Sequence, residues 1–240
     1  PAVDWSPSEW DLPAIIPYVD LFIFMGYDYY YKSSGTAGPT DPLYNFQTSY
    51  NYTLSKTITY YLNAGVPKSK LMAGLPYYGF EWPTTSLTVP SATDTTGYSV
   101  TYKTLRNNSS GYYSNANKGW DVNSQSPYWA FNSAGQNYQC WVNDVRSMGR
   151  RFDLVNICDI AGIGIWALSY DDGYTDYWDL IADKFSDCAI VPCSDTIWDL
   201  GGPTRVHNAN ENFVYTIQPT GATGVSLNFT DFNLESGYDS

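Results

Sequence analysis

The sequence predicts an α/β fold built on a parallel sheet. Three short apolar runs, at residues 21–27, 71–77 and 162–168, each have the length of a strand. Unbroken apolar runs are typical of strands that are buried on both faces, as in parallel sheets. Residues 54–64 lie between the first two runs and have helical spacing, with Thr53 at the position of an N-cap. Strand, helix and strand in this order predict parallel pairing through a right-handed crossover.

The region between the second and third runs has a different composition. Residues 82–130 are rich in Ser, Thr, Asn and Tyr. Within them, at residues 98–102, Tyr or Val alternates with Ser or Thr. Such alternation is typical of antiparallel strands, so this region is predicted to be inserted between the parallel units. Apolar residues at positions 138, 141, 142, 145 and 148 then predict a helix, and another is predicted over residues 177–185.

A second domain is predicted after the third run. Residues 213–217 and 225–232 alternate with period two, as half-buried antiparallel strands do. The predicted boundary lies at residues 187–193. Residues 1–187 then form the α/β domain, and residues 188–240 form a truncated all-β domain.

Composition narrows the classes of partner. The 240 residues contain 12 Lys+Arg and 24 Asp+Glu, a formal net charge of −12, which argues against nucleic acid because phosphate binding needs a basic surface. Only 15% of the residues are charged, whereas there are 23 Tyr and 9 Trp, a balance that suits carbohydrate surfaces. A run of about 18 apolar residues is absent, so no membrane span is expected.

The cysteines and the sequons favour an exported protein without a metal. The spacing of the four cysteines fits no zinc pattern, and we expect neither a metal nor a cofactor. Sequons begin at four positions, and Cys188 and Cys193 are close enough in sequence to close a small loop in an oxidising compartment. We therefore predict a secreted, extracellular protein. The four sequon positions are Asn51, Asn107, Asn108 and Asn228.

Three strand signatures in a fixed order carry a specific resemblance. They are MGYD at residues 25–28, GLPYYGF at residues 74–80 and GIGIWAL at residues 162–168. This order resembles the last three strands of glycoside hydrolase family 18, the chitinase-like TIM barrels, and the opening PAVDW is similar to the end of the strand before them. The resemblance implies that residues 1–187 are the C-terminal part of a (β/α)8 barrel, about strands 5–8, with an α+β insertion at about 82–130. Residues 199–239 resemble the first half of a CUB-like β-sandwich.

The resemblance also implies a chemistry. Family 18 enzymes hydrolyse polymers of β-1,4-linked N-acetylglucosamine by a retaining mechanism in which the substrate's own acetamido group attacks the anomeric carbon. By resemblance, Asp28 and Tyr27 are the catalytic residues that orient that group, and Trp166 is the apolar floor beneath the sugar. Met25 lines the pocket. Tyr29 and Trp82 are further candidates for contact with the substrate, and Glu81 is a weaker one.

One family feature is missing from the sequence. The proton donor of the family is the Glu of D-x-x-D-x-D-x-E, and no such pattern occurs in these 240 residues. We expect the acid upstream of Pro1, and we expect this polypeptide by itself to be inactive because it has no placed proton donor. The alternative is a non-catalytic binder of chitin or another glycan, a lectin-like or adhesion protein. The sequence leaves the glycan open between chitin and bacterial wall polymers.

Overall fold

A computed structural model describes residues 10–47 and 52–186, together with Trp198, residues 201–202, Gly224 and residues 226–229. The opening PAVDW and almost all of the predicted CUB-like domain, with Cys188 and Cys193, lie outside the described residues.

The described chain forms ten strands and five α-helices. The strands are β1 Phe22–Met25, β2 Thr36–Ala37, β3 Leu71–Pro76, β4 Tyr78–Thr84, β5 Ser91–Ala92, β6 Tyr98–Thr101, β7 Lys118–Asp121, β8 Ser126–Ser133, β9 Gln136–Trp141 and β10 Gly162–Trp166. The helices are α1 Leu12–Ile15, α2 Leu54–Asn63, α3 Tyr102–Asn107, α4 Val145–Cys158 and α5 Asp176–Phe185.

The three predicted apolar runs form one parallel sheet in the order β1-β3-β10. Met25 pairs with Gly74, and Trp166 pairs with Pro76. Helix α2 connects β1 to β3, and the Thr53 side chain accepts the hydrogen bond of the Lys56 backbone N–H. The α/β fold, the parallel pairing and the predicted N-cap are therefore confirmed.

The expectation that β1 is buried on both faces is wrong for the described structure. Phe22 and Phe24 are buried, whereas Ile23 is 57% exposed and Met25 is 53% exposed. One face of the sheet packs against the apolar core, and among the described residues nothing covers the face that carries Ile23 and Met25. An apolar run alone cannot separate a strand with two covered faces from a strand with one.

The inserted region is a five-stranded antiparallel sheet in the order β6-β4-β9-β8-β7. Strand β4 begins two residues after β3 ends, so the chain passes directly from the parallel sheet into this second sheet. The helix predicted over residues 138–148 is partly wrong. Tyr138 and Trp141 belong to β9, which pairs with β4 on one side and β8 on the other, and cross-strand pairing prevails over the helical spacing. Helix α4 begins at Val145, and Asp144 with Ser147 forms its capping box.

A buried ion pair joins α4 to the long loop after β1. The Arg151 side chain is fully buried, and its Nε donates to Asp41 Oδ2 over 3.0 Å. Its Nη2 donates to the backbone oxygen of Asp41 over 2.8 Å and to Ser126 Oγ over 2.7 Å. Asn143 Nδ2 donates to both carboxylate oxygens of Asp41, over 2.9 and 2.8 Å. The network thus connects the loop, α4 and the start of β8.

A buried carboxyl group lies inside the antiparallel sheet. Glu81 is 3% exposed, and it accepts hydrogen bonds from the hydroxyls of Tyr98 and Tyr113, the latter over 2.9 Å. Burial raises the pKa of Glu81, against hydrogen bonds from Tyr113 and Cys140 that lower it. The prediction that Glu81 lines an outer subsite is wrong, because its side chain is sealed within the sheet.

Across residues 10–47 and 52–186, no helix is long and apolar enough to cross a membrane. Within the described part of the chain, no group of three His, Cys, Asp or Glu side chains is placed to hold a metal ion. Cys140 and Cys158 are buried.

We predict that Arg151→Met lowers the free energy of unfolding by about 3–5 kcal/mol, because it leaves the buried carboxylate of Asp41 without its cation. Urea denaturation measures the loss. Arg150→Met is the matched control: Arg150 is the neighbouring residue on α4, its side chain is partly exposed, and its ion pair with Asp153 is 3.9 Å long. We expect the control to stay within about 1 kcal/mol of the wild type. Equal losses in the two variants would contradict the role of the buried pair.

We predict that Glu81 makes the fold less stable as pH rises. Its folded pKa is above the ordinary value of 4.5, so the fold favours the neutral acid. The stabilisation is complete below the unfolded pKa and is lost as pH rises toward the folded pKa, by about 1.4 kcal/mol for each unit between the two values. Glu81→Gln stays neutral and should flatten this part of the profile. Urea midpoints from pH 4 to pH 8 test it, and parallel profiles for wild type and variant would refute it.

Candidate functional site

The carboxyl ends of the three parallel strands bring the candidate residues together. Tyr27 and Asp28 follow β1, Tyr78 follows β3, and Trp166 is the last residue of β10. The Tyr77 backbone N–H donates to the Trp166 backbone oxygen over 2.8 Å, which continues the pairing past the end of β3. Since parallel strands end at the same edge of a sheet, residues far apart in sequence meet here, and this is the edge at which α/β folds place ligands.

Asp28 is held at this edge by two neighbours. Its Oδ1 accepts the hydroxyl proton of Tyr78 over 2.6 Å, and its backbone N–H donates to Thr40 Oγ1 over 3.1 Å. The φ angle of Asp28 is +61°, in the left-handed region, where Asp is tolerated better than most residues. Asp28 is exposed, whereas Tyr78 and Thr40 are buried. The carboxylate is therefore fixed in place while it still faces solvent.

The loop that carries Thr40 is the loop anchored by the buried ion pair. Thr40 is 2% exposed and directly precedes Asp41, the partner of Arg151. Besides its contacts with Asp28, Thr40 accepts the Tyr29 backbone N–H at its carbonyl oxygen over 3.0 Å. The buried Thr40 thus accepts hydrogen bonds from the backbone N–H groups of both Asp28 and Tyr29.

Three aromatic rings lie next to one another at this edge. The Tyr27 ring stacks near Trp166, with centroids 6.4 Å apart and planes 30° apart. Tyr27 meets Tyr78 edge to face, with centroids 6.1 Å apart. Trp166 is 55% exposed, so much of its indole ring is open to a ligand. Partial burial, and after it the Asp28 carboxylate, raise the pKa of Tyr27. Its phenol therefore keeps its proton at neutral pH and is available as a donor.

Met25 lies on the open face of the sheet, two residues before Tyr27, so the two side chains point to the same side. Gly164 of β10 adds no side chain to this face, where a Cβ at its position would lie 3.4 Å from Ile23 Cγ2. Met25 is 53% exposed on this face, and its place in a pocket wall stays a prediction.

Two predicted contacts are wrong because the structure buries their side chains. Tyr29 is 3% exposed, and its hydroxyl lies 2.5 Å from Thr57 Oγ1 of α2. Trp82 is 0% exposed, and its Nε1 donates to the backbone oxygen of Lys32 over 3.1 Å. Neither ring has a face left for a sugar. Both anchor loops to the core instead.

Sequence reasoning missed Tyr78 as a residue of the site. Burial, followed by the hydrogen bond that it donates to Asp28, raises the pKa of Tyr78 well above its usual range, so it remains a donor. A signal was present in the sequence, because Tyr78 stands directly after a parallel strand in GLPYYGF, where site residues are common. Thr40 left no comparable signal, since its contact with Asp28 depends on the path of a loop.

The arrangement combines three capabilities. The Asp28 carboxylate is a fixed negative charge that can stabilise a developing positive one. The Tyr27 hydroxyl donates to no other described residue and is free to bind a ligand carbonyl. The exposed Trp166 ring offers a flat apolar platform with a polar edge, as tryptophans at binding surfaces do. These features fit a neutral, polar ligand with an apolar face, such as a sugar ring.

Comparisons with known proteins identify the family of the chain. The model of the family described as glycosyl hydrolases family 18 matches residues 1–171. Di-N-acetylchitobiase of Mus musculus is 27% identical over 194 residues, covering 71% of this chain and 50% of its own length.

Two solved structures share the fold. A family 18 chitinase from Cycas revoluta, in complex with (GlcNAc)3, has a TM-score of 0.64 at 18% identity and covers 75% of this chain and 51% of its own. The chitinase-like agglutinin RobpsCRA from Robinia pseudoacacia has a TM-score of 0.58 at 25% identity and covers 71% of this chain and 49% of its own.

The chain spans half or less of the length of the curated relatives it matches, from 28% to 50%. The family match covers well over half of the 240 residues and includes every residue of the cluster around Asp28. The chain therefore belongs to glycosyl hydrolase family 18.

Proposed function

We propose that the whole protein hydrolyses polymers of β-1,4-linked N-acetylglucosamine. The observation that carries the proposal is the cluster at the carboxyl edge of the parallel sheet. There the Asp28 carboxylate is fixed by the Tyr78 hydroxyl, and the neighbouring Tyr27 ring lies between Tyr78 and Trp166, within 6.1 and 6.4 Å of their ring centroids. Membership of family 18 supports the same class of substrate.

In the proposed reaction the substrate supplies its own nucleophile. The oxygen of its acetamido group attacks the anomeric carbon, and the leaving sugar oxygen takes a proton from an acid. The Tyr27 hydroxyl hydrogen-bonds the acetamido group and orients it. The Asp28 carboxylate stabilises the positive charge that develops on the acetamido group, and Trp166 supports the apolar face of the sugar. No step requires a metal or a cofactor.

The acid is proposed to come from a part of the whole protein beyond these 240 residues. The chain spans about half the length of Mus musculus di-N-acetylchitobiase, and the open face of its sheet exposes Ile23, Met25 and Trp166 by 53–57% each. Further strands of a (β/α)8 barrel would cover this apolar face and would place the Glu of the family pattern opposite Asp28. The 240-residue chain by itself should then show no turnover of a chitooligosaccharide, and measurable turnover by it would contradict this assignment.

We further propose that the protein is secreted and that residues 188–240 begin a CUB-like module for adhesion or glycan binding. The sequons, the acidic composition and the tail motifs support these two assignments.

We predict that Asp28→Asn lowers kcat of the whole protein on chitooligosaccharides by about 100- to 1,000-fold, because the developing positive charge loses its counterion. Tyr78→Phe removes only the hydrogen bond that orients the carboxylate, and it should cost about tenfold. Tyr18→Phe is the matched control, since Tyr18 lies before β1 and is 87% exposed. Steady-state kinetics provide the measurement. A kcat of Asp28→Asn equal to that of the control would remove Asp28 from the mechanism.

The second candidate function is glycan binding without hydrolysis. It is favoured by the similarity to a chitinase-like agglutinin at 25% identity.

We predict that Trp166→Ala weakens binding of a chitooligosaccharide at least tenfold under either function, because the exposed ring is the platform for the sugar. Trp178→Ala is the control, since Trp178 is 47% exposed but lies on α5. Isothermal titration calorimetry measures both. Binding by the whole protein without turnover would select the lectin-like function. Equal affinities in the two variants would reject the platform.

A further inference from the structure

A cavity of about 340 Å³ lies between α3, strands β7 and β8 and the start of α4. It shares no residue with the cluster around Asp28, and the proposed hydrolysis assigns it no role. Its volume falls within the range of about 300–1,000 Å³ that is usual for small-molecule sites. The insertion therefore provides a second concave surface that is large enough for a sugar residue.

The charge of the cavity is opposite to that of the protein. Arg106, Lys118 and Arg146 line it, whereas Asp144 is the only lining carboxylate. Three of the 12 basic residues of a chain with net charge −12 thus meet in one cavity. A local positive potential in an acidic protein selects for an anionic ligand, because the rest of the surface repels it.

Arg146 is the cation available to a ligand. Its guanidinium Cζ lies 3.7 Å from the centre of the Trp120 ring, so the ring supports the group. Within the described part of the chain it forms no ion pair. A guanidinium that rests on an aromatic ring keeps its N–H groups free at the edge, in the fork that matches the two oxygens of a carboxylate.

The other two cations are held in place. Lys118 Nζ lies 2.6 Å from Asp144 Oδ2 and 5.3 Å from the centre of the Trp129 ring. Arg106 pairs with Asp176, and its Cζ lies 4.6 Å from the centre of the Tyr174 ring. These contacts fix two positive groups before a ligand binds, which reduces the entropy lost on binding. The carboxylates of Asp144 and Asp176 also offset part of the charges of Lys118 and Arg106. A single carboxylate therefore suits the cavity better than a polyanion.

The walls also suit the body of a sugar. Of the three rings that line the cavity, Tyr113 is partly exposed and can contact a ligand, whereas Tyr102 and Trp129 are buried behind the surface. The Tyr113 ring and the exposed Arg146 guanidinium fit a ligand that combines an apolar C–H face with oxygen acceptors.

We propose that this cavity binds a sugar residue that carries a carboxylate, with Arg146 as its principal contact. The proposal does not depend on hydrolysis at Asp28, and the Trp166→Ala variant should bind the acidic sugar normally. The insertion would thereby recognise acidic residues of a glycan, separately from the neutral residues proposed to bind at the edge of the parallel sheet.

Titration of the protein with glucuronic acid at low ionic strength, followed by NMR chemical-shift changes of the tryptophan indole N–H groups, tests the proposal. We expect saturable binding that weakens about tenfold in Arg146→Gln, since hydrogen bonds to charged groups are worth about 1.5–3 kcal/mol. Arg146→Lys keeps the charge without the fork and should lie between the two. Arg150→Gln is the matched control: it removes a cation from the same helix outside the cavity, and it should bind as the wild type does.

Three ligands separate the possible outcomes. Glucose is the neutral sugar, acetate is the carboxylate without a sugar, and inorganic phosphate is the general anion. Glucuronic acid should bind more tightly than all three. Glucose binding as tightly would show that charge is irrelevant, and acetate or phosphate binding as tightly would show a bare anion site. Either result, or an Arg146→Gln variant that binds like the wild type, would overturn the proposal.

Discussion

The buried ion pair between Arg151 and Asp41 supports the geometry of the site. Taking both charges out of water costs several kcal/mol for each ion, so the pair persists only because hydrogen bonds from Asn143 and to Ser126 complete it. Each of these partners lies on a different element, and the pair therefore joins the loop after β1, the helix α4 and the antiparallel sheet. Through Thr40, the residue before Asp41, the same network reaches the backbone of Asp28.

The path of the chain from β3 to α4 explains how the antiparallel sheet is joined to the parallel sheet. Strand β4 starts where β3 ends, and β9 returns the chain to α4, so the antiparallel sheet is inserted at the carboxyl edge of the parallel one. Tyr78 stands at this junction. Its backbone belongs to β4, whereas its hydroxyl holds Asp28 after β1. The site and the insertion are therefore mechanically connected, although the aromatic cluster and the basic cavity share no residue.

Charge and aromatic content are distributed unevenly over the molecule. At the edge of the parallel sheet, one carboxylate accepts the Tyr78 hydroxyl near the Tyr27 ring, the arrangement proposed above for neutral sugars. Between the insertion and the start of α4, three cations lie near rings, the arrangement proposed above for an acidic sugar. The pairing of cations with rings recurs there, with Arg146 on Trp120 and Lys118 near Trp129, and it restrains flexible side chains without neutralising them fully.

Local patterns were sufficient for the strands β1, β3 and β10, for the cap at Thr53 and for the placement of polar residues such as Asp28 at the carboxyl end of a strand. Each depends on neighbours in sequence or on the rule that parallel strands end at one edge. The burial of Tyr29 and Trp82, the strand at Tyr138 and Trp141, and the contact between Tyr78 and Asp28 were decided by tertiary structure. A ring has the same composition whether it faces a core or a ligand, and only the packing of distant segments determines which of the two it meets.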